Sequence, residues 1–160
     1  ALDRRSPAHV AWAQGTVGFA RNRHPRNGIR QREEWPVDRD LPVLRVTNPD
    51  GSLRALVVSY ACHCTTLGGD YYRICGDWAG YAQEYLELAH PGATAMYVTG
   101  CGADSNPEPR TGIHFARQNG LHMAGAVTAT ITKPMTSIAG PIRAAFATVP
   151  LPFSDTPPRE

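Results

Sequence analysis

Long apolar runs, nucleotide-binding signatures and a strong charge of either sign are all missing from this 160-residue sequence. No run approaches the roughly 20 apolar residues of a membrane-spanning helix, and no signal-peptide pattern occurs. The sequence contains neither a G-x-G-x-x-G fingerprint nor a Walker lysine, so it predicts no nucleotide-binding loop. A net charge of +2 gives no basis for nucleic-acid binding, which needs a concentrated basic face.

Cysteine is scarce and is not arranged in a recognisable framework. The four cysteines include no C-x-x-C pair, which excludes a zinc finger, and their spacing matches no known disulfide scaffold. The redox state of the four thiols, Cys62, Cys64, Cys75 and Cys101, therefore stays open.

Arginine is concentrated in one early segment. Asn, Gly and Pro alternate with these arginines, and Glu33, Glu34 and Asp38 partly neutralise them, so we expect a solvated loop rather than a basic binding patch. The six residues are Arg21, Arg23, Arg26, Arg30, Arg32 and Arg39.

A β-hairpin is the clearest local prediction. Two β-rich runs, residues 43–47 and 54–61, flank the sequence N-P-D-G-S. Proline presets φ and glycine accepts positive φ, so this sequence favours a tight turn. We therefore expect the two runs to pair antiparallel.

Two helices and three more strands complete the predicted order. Asp77 is expected to cap the first helix, whose apolar stripe is Ala79, Ala82, Leu86 and Ala89. The second helix, over 112–130, is expected to bury Phe115, Leu121, Met123, Ala126 and Val127. The further strands are expected near 14–20, at 93–99 and within 141–153.

These elements predict an α/β fold. The order is roughly β-β-β-α-β-α-β, which implies a mixed β-sheet with flanking helices. Residues 1–153 are expected to form a single domain, and residues 154–160 have the composition of a linker or tail.

The first candidate site is the stretch S-Y-A-C-H-C-T-T-L-G-G-D, residues 59–70. In an extended chain Cys62 and Cys64 share one face and His63 points to the other. A Cys-His-Cys metal triad within this stretch is therefore not expected. His63 remains either a single metal ligand or base with partners from elsewhere, or a strand-end histidine bonded to a backbone carbonyl.

The second candidate site is the glycine-rich turn T-G-C-G-A-D-S-N-P, which follows the predicted strand 93–99. It is either a tight turn built from Gly and Asx residues or a pocket that presents a nucleophile beside free backbone amides. Ligands of open α/β sheets bind at the carboxyl ends of the strands, so we expect His63 and this turn to lie close together. The candidate residues of the turn are Gly100, Cys101, Gly102, Asp104, Ser105 and Asn106.

Several of these blocks together resemble a known family. The series GFARNR, LPVLRVTNPDG, YACHCTTLGGD, GDWAGYAQEYLE, ATAMYVTGCGADSNP and VPLPF is similar, in order, to the N-terminal catalytic domain of neutral/alkaline ceramidases. The resemblance runs from about Gly18 to Phe153. It implies the latter part of that domain, and it favours a secreted or periplasmic location.

The resemblance implies a zinc amidase and assigns roles to particular positions. His63 matches a zinc-ligating histidine, and Ser105 matches a serine beside the scissile amide. Asp104 would join Ser105 in the catalytic group, and Gly100, Cys101, Gly102 and Asn106 would line the substrate pocket. In such chemistry zinc lowers the pKa of a bound water to about 7 and polarises the amide carbonyl. The implied substrate is a small-molecule or lipid N-acyl amide.

The sequence also departs from the family pattern. The family's other zinc histidine, in a T-H-T-H-S-G-P block, and its Glu and Tyr ligands have no counterpart among these residues. Missing segments or a companion chain would have to complete the zinc site. Two alternatives follow: a non-catalytic fragment that acts as a binding or structural module, and a cysteine hydrolase that uses Cys64 or Cys101 with His63.

Overall fold

A computed structural model describes residues 5–23, 35–141 and 143–152. Much of the arginine-rich segment and the predicted tail, 154–160, lie outside the described residues. The elements in chain order are β1 His9–Thr16, β2 Ala20–Asn22, β3 Asp40–Thr47, β4 Leu53–Tyr60, α1 Asp77–Ala89, β5 Thr94–Thr99, β6 Ser105–Pro107, α2 Ile113–Ile131 and β7 Thr136–Ile138.

A five-stranded mixed sheet forms the centre of the described chain. Its strand order is β5-β4-β3-β1-β7, and β2 and β6 form a separate two-stranded sheet. The strands β4 and β5 run parallel, whereas the other neighbours in the large sheet are antiparallel. The predicted fold class, a mixed sheet with flanking helices, is confirmed.

The predicted hairpin is confirmed as β3 and β4. Val43 pairs with Val58 and Thr47 pairs with Leu53. In the turn, Gly51 adopts a φ of +85°, and the Asp50 carboxylate accepts a hydrogen bond of 2.9 Å from the Ser52 amide. Local turn chemistry therefore sets the register, as the sequence indicated.

The prediction of a last strand within 141–153 is wrong for the described residues of that range. The described residues between 141 and 152 form no strand, and β7 instead lies earlier, at Thr136–Ile138, where it pairs with β1. Phe146, Val149 and Leu151 are exposed. A strand also needs a neighbour, and no described strand pairs with this segment.

Two further sequence predictions need correction. The single early strand is replaced by β1 and β2, and residues 17–19 between them belong to neither strand. Leu121 was expected inside, but it is 61% exposed. At that level α2 instead buries Gly120, where an added Cβ would lie 2.6 Å from the Tyr81 Cβ of α1. The close approach of the two helices therefore decides which face of α2 is buried.

The two faces of the sheet differ. On one face α1 packs against β5 and α2 packs against β1 and β3, over a core that includes Leu41, Leu56, Val58 and Tyr60. The opposite face leaves apolar side chains of β1, β3 and β5 exposed, and a shallow groove of about 300 Å³ crosses it. Within the described ranges, no helix combines the length and hydrophobicity that crossing a membrane requires.

Candidate functional site

The turns that follow β4 and β5 meet at one edge of the sheet. Because these strands are parallel neighbours, their carboxyl ends lie side by side. The His63 amide donates a 2.9 Å hydrogen bond to the Ser105 carbonyl, and the His63 Nε2 lies 3.2 Å from the Ala103 carbonyl oxygen. The predicted closeness of His63 to the glycine-rich turn is therefore confirmed.

Two glycines allow this contact. A Cβ on Gly102 would lie 2.4 Å from the Ala61 carbonyl carbon and 2.4 Å from the Cys62 nitrogen. A Cβ on Gly100 would lie 3.2 Å from the Ala61 nitrogen. Backbone packs directly against backbone here, which explains structurally why Gly100 and Gly102 lack side chains. Their role in a substrate pocket stays a prediction.

The contact of His63 with Ala103 fixes the tautomer of the neutral ring. A carbonyl oxygen can only accept a hydrogen bond, so Nε2 carries the proton in this arrangement. The lone pair of the neutral imidazole then lies on Nδ1. The half-buried His63 ring therefore offers Nδ1 to a metal ion or a proton.

Ser105 is paired with the neighbouring carboxylate rather than with His63. Its hydroxyl donates to Asp104 Oδ1 at 3.1 Å, and Asn22 Nδ2 donates to Asp104 Oδ2 at 2.9 Å. Ser105 is 2% exposed and lies in β6, opposite Asn22 of β2. Asp104 is thus held in one orientation, where it can accept the hydroxyl proton of Ser105.

The β2 strand and the residue that follows it contribute site contacts that the sequence did not reveal. Besides Asn22, Arg23 donates from Nε to the Ala103 carbonyl at 3.0 Å, the same oxygen that faces His63. Arg21 lies in β2 opposite Asn106, not in a solvated loop. About 80 residues separate β2 from this turn, and no local pattern links them.

Asp77 supports the site but is not the N-cap residue. Gly76 occupies that position, and Asp77 is the first residue of α1, with a φ of +53°. Its carboxylate accepts hydrogen bonds from the Trp78 amide at 2.7 Å and from the Leu67 amide at 3.0 Å. Asp77 therefore ties the turn after β4 to the start of α1.

The four cysteines are free thiols, and two of them lie beside His63. Burial raises the pKa of Cys62 well above its usual range. Although Cys64 as a residue is exposed, desolvation of its thiol is the main cause that raises its pKa to about 11, and the Asp77 carboxylate adds to the increase. Cys64 is therefore a neutral thiol near pH 7, not the low-pKa thiolate that a cysteine hydrolase needs. Cys101 is exposed, and its use as a nucleophile stays a prediction.

A complete zinc site is not found in the part of the chain that the structure describes. No group of three or more His, Cys, Asp or Glu side chains within it could hold a metal ion. A catalytic zinc usually takes three protein ligands. His63 could supply one of them, and the described residues do not supply the rest.

Among the comparisons with known proteins, those with solved structures gave matches, and those with families and curated sequences did not. No protein-family model matches the chain, and no curated protein matches it by sequence. The neutral ceramidase from Pseudomonas aeruginosa matches 85% of this chain with a TM-score of 0.72 and 20% identity. A structure of ceramidase complexed with C2 matches the same share with a TM-score of 0.73 and 20% identity.

The match covers a limited part of those enzymes. The chain spans 24% of the length of each ceramidase chain. At this identity the likeness establishes the fold. The chain therefore has the fold of the corresponding quarter of neutral ceramidase, which confirms the resemblance read from its sequence.

Proposed function

We propose that this chain is the part of a zinc-dependent hydrolase of N-acyl amides that supplies His63 as a metal ligand. The observation that carries the proposal is the position of His63, at the end of β4 and beside the Asp104–Ser105 pair, in a fold shared with ceramidase. A ceramidase cleaves the N-acyl amide of a lipid. The substrate class of this chain is accordingly a small-molecule or lipid N-acyl amide.

Each candidate residue has a defined part in this proposal. His63 offers its Nδ1 lone pair, and the Ala103 carbonyl holds the ring through Nε2. Ser105 lies beside the scissile amide, and Asp104 accepts its hydrogen bond. The further zinc ligands would come from outside the described residues, either from other segments of the polypeptide or from a companion chain.

A non-catalytic binding or structural module is the second candidate function. The incomplete ligand set within the described residues favours it. The two candidates differ in a measurable way, because a hydrolase must lose activity when His63 is removed and a structural module has no activity to lose.

The test compares variants of a polypeptide that carries this chain together with the segments that complete the ceramidase-like fold. The His63→Ala variant should lose bound zinc and at least about 100-fold of its N-acyl amide hydrolysis. The matched control is His122→Ala, since His122 is exposed on α2. Full activity in His63→Ala would overturn the proposal, and absence of hydrolysis in the unmutated polypeptide would favour the non-catalytic module.

A further inference from the structure

Two aromatic side chains donate hydrogen bonds to the backbone around His63. The Trp78 Nε1 donates to the His63 carbonyl at 2.9 Å. The Tyr97 hydroxyl lies 2.8 Å from the Tyr60 carbonyl and 3.3 Å from the Cys62 carbonyl, and donates to them. Together Trp78 and Tyr97 form what we call the aromatic clamp.

The clamp acts at the point where the sheet ladder ends. Tyr60 and Thr99 are the last paired residues of β4 and β5. The carbonyls of Cys62 and His63 lie after the end of the β4–β5 ladder and have no partner in it. Buried carbonyls need a donor. The clamp supplies side-chain donors to these carbonyls, whereas the His63 amide bonds to the Ser105 carbonyl of β6.

Packing fixes the orientation of both donors. Trp78 is fully buried, and its ring lies edge-to-face against Tyr97 at 4.9 Å and against Phe19 at 5.0 Å. Burial also raises the pKa of Tyr97 above its ordinary value, so its hydroxyl keeps the proton that it donates. Neither side chain can turn away without disturbing the core.

The carbonyls of Cys62 and His63, which accept from the aromatic clamp, belong to the two peptide groups on either side of the His63 Cα. The His63 amide bonds to the Ser105 carbonyl, and the His63 ring faces the Ala103 carbonyl. We propose that Trp78 and Tyr97 are positioning residues, which hold the His63 backbone so that Nε2 faces the Ala103 carbonyl and the lone pair stays on Nδ1. The use of that orientation for metal binding rests on the proposed function, but the orientation itself requires no metal.

The test compares Tyr97→Phe with Tyr60→Phe. Each variant loses one aromatic hydroxyl from the same cluster, but the Tyr60 hydroxyl bonds to the Ala20 amide and the Val17 carbonyl, away from the turn after β4. The readouts are the imidazole tautomer of His63 from ¹⁵N NMR, assigned with His63→Ala, and the hydrogen-exchange rate of the His63 amide. Both are measured on the 160-residue chain without metal.

Tyr97→Phe should raise the exchange rate of the His63 amide about two- to tenfold and mix the two tautomers. Tyr60→Phe should lower the melting temperature without either change at His63. Identical His63 readouts in the two variants would overturn the positioning role, because loss of stability alone would then explain Tyr97.

Trp78→Phe provides a second and independent variant should Tyr97→Phe not fold. It removes the indole donor and keeps an aromatic ring. Trp12→Phe, on the sheet face opposite the helices, controls for the loss of an indole. An unchanged His63 tautomer in Trp78→Phe would also contradict the proposal. A clamp effect in this chain would retain the inference even if the polypeptide that carries the completing segments hydrolysed no amide, a result that would remove the proposed function.

Discussion

The two turns that build the candidate site are held in different ways. The turn after β4 is bonded by side chains of α1 and β5 as well as by backbone: Trp78 and Tyr97 donate to its carbonyls, and Asp77 accepts from its Leu67 amide. The turn after β5 also accepts side-chain hydrogen bonds, but it depends on close backbone contact, which the absence of a side chain at Gly102 permits. The first turn should therefore be most sensitive to the removal of a donor or acceptor, and the second to the addition of an atom at Gly102.

The largest expected effect is at Gly102. Gly102→Ala places a Cβ against the Ala61–Cys62 peptide, where backbone cannot give way, and should lower the free energy of unfolding by about 3 kcal/mol. The control is Gly125→Ala on α2, where no atom lies within 4 Å of the added Cβ. This control should stabilise the chain by up to about 1 kcal/mol. Urea unfolding of both variants measures the difference, and equal stabilities would contradict close backbone packing.

Removal of the Asp77 carboxylate should have the next largest effect. Asp77→Ala deletes the acceptor of two amides and leaves alanine at a positive φ, so we expect a loss of about 2–3 kcal/mol. Asp77→Asn keeps one acceptor oxygen and tolerates that φ, and should lose about half as much. Thermal unfolding ranks the two variants. If they are equally stable, the carboxylate does not anchor the turn.

A smaller effect is expected at the bond between β2 and the second turn. Asn22→Ala removes the hydrogen bonds that Nδ2 donates to the Asp104 carboxylate and to the Pro36 carbonyl, and should lower the free energy of unfolding by about 1–2 kcal/mol. Gln118→Ala, at an exposed position of α2, should change it by less than about 0.5 kcal/mol. Urea unfolding separates the two, and a change at Asn22 as small as that at Gln118 would show that the Asn22 side-chain bonds contribute nothing measurable to stability.

The smallest effect concerns the pH dependence of Cys64. Its raised pKa of about 11 means that the folded state favours the neutral thiol. This contribution to stability is fully present below the unfolded pKa of about 8.5 and is lost as the pH rises through about 11. Alkylation of Cys64, followed by peptide mass spectrometry, should keep accelerating up to about pH 11 in the folded chain, whereas in urea it should level off near pH 9. Rapid alkylation of folded Cys64 at pH 7 would revive the cysteine-hydrolase alternative.

Local chemistry explains what the sequence predicted correctly. The N-P-D-G-S turn determines the β3–β4 hairpin, and two parallel strands that end in polar turns bring His63 close to Ser105. The contacts that the sequence did not predict depend on tertiary packing: Asn22 bonds to Asp104, 82 positions away, and the Trp78 indole donates to the His63 carbonyl. The predicted strand within 141–153, which the described residues there do not form, shows the same limit, because the sequence gives no information about a partner strand.

The most direct measurement of the central claim is a zinc titration of this chain, monitored by the imidazole NMR signals of its histidines. The account predicts weak binding, because the described residues include no full ligand set, and shifts centred on His63 that vanish in His63→Ala and persist in His122→Ala. Amide hydrolysis by the isolated chain should be poor or absent. One tightly bound zinc per chain with robust turnover, unchanged in His63→Ala, would contradict the assignment of His63 and show that other residues hold the metal.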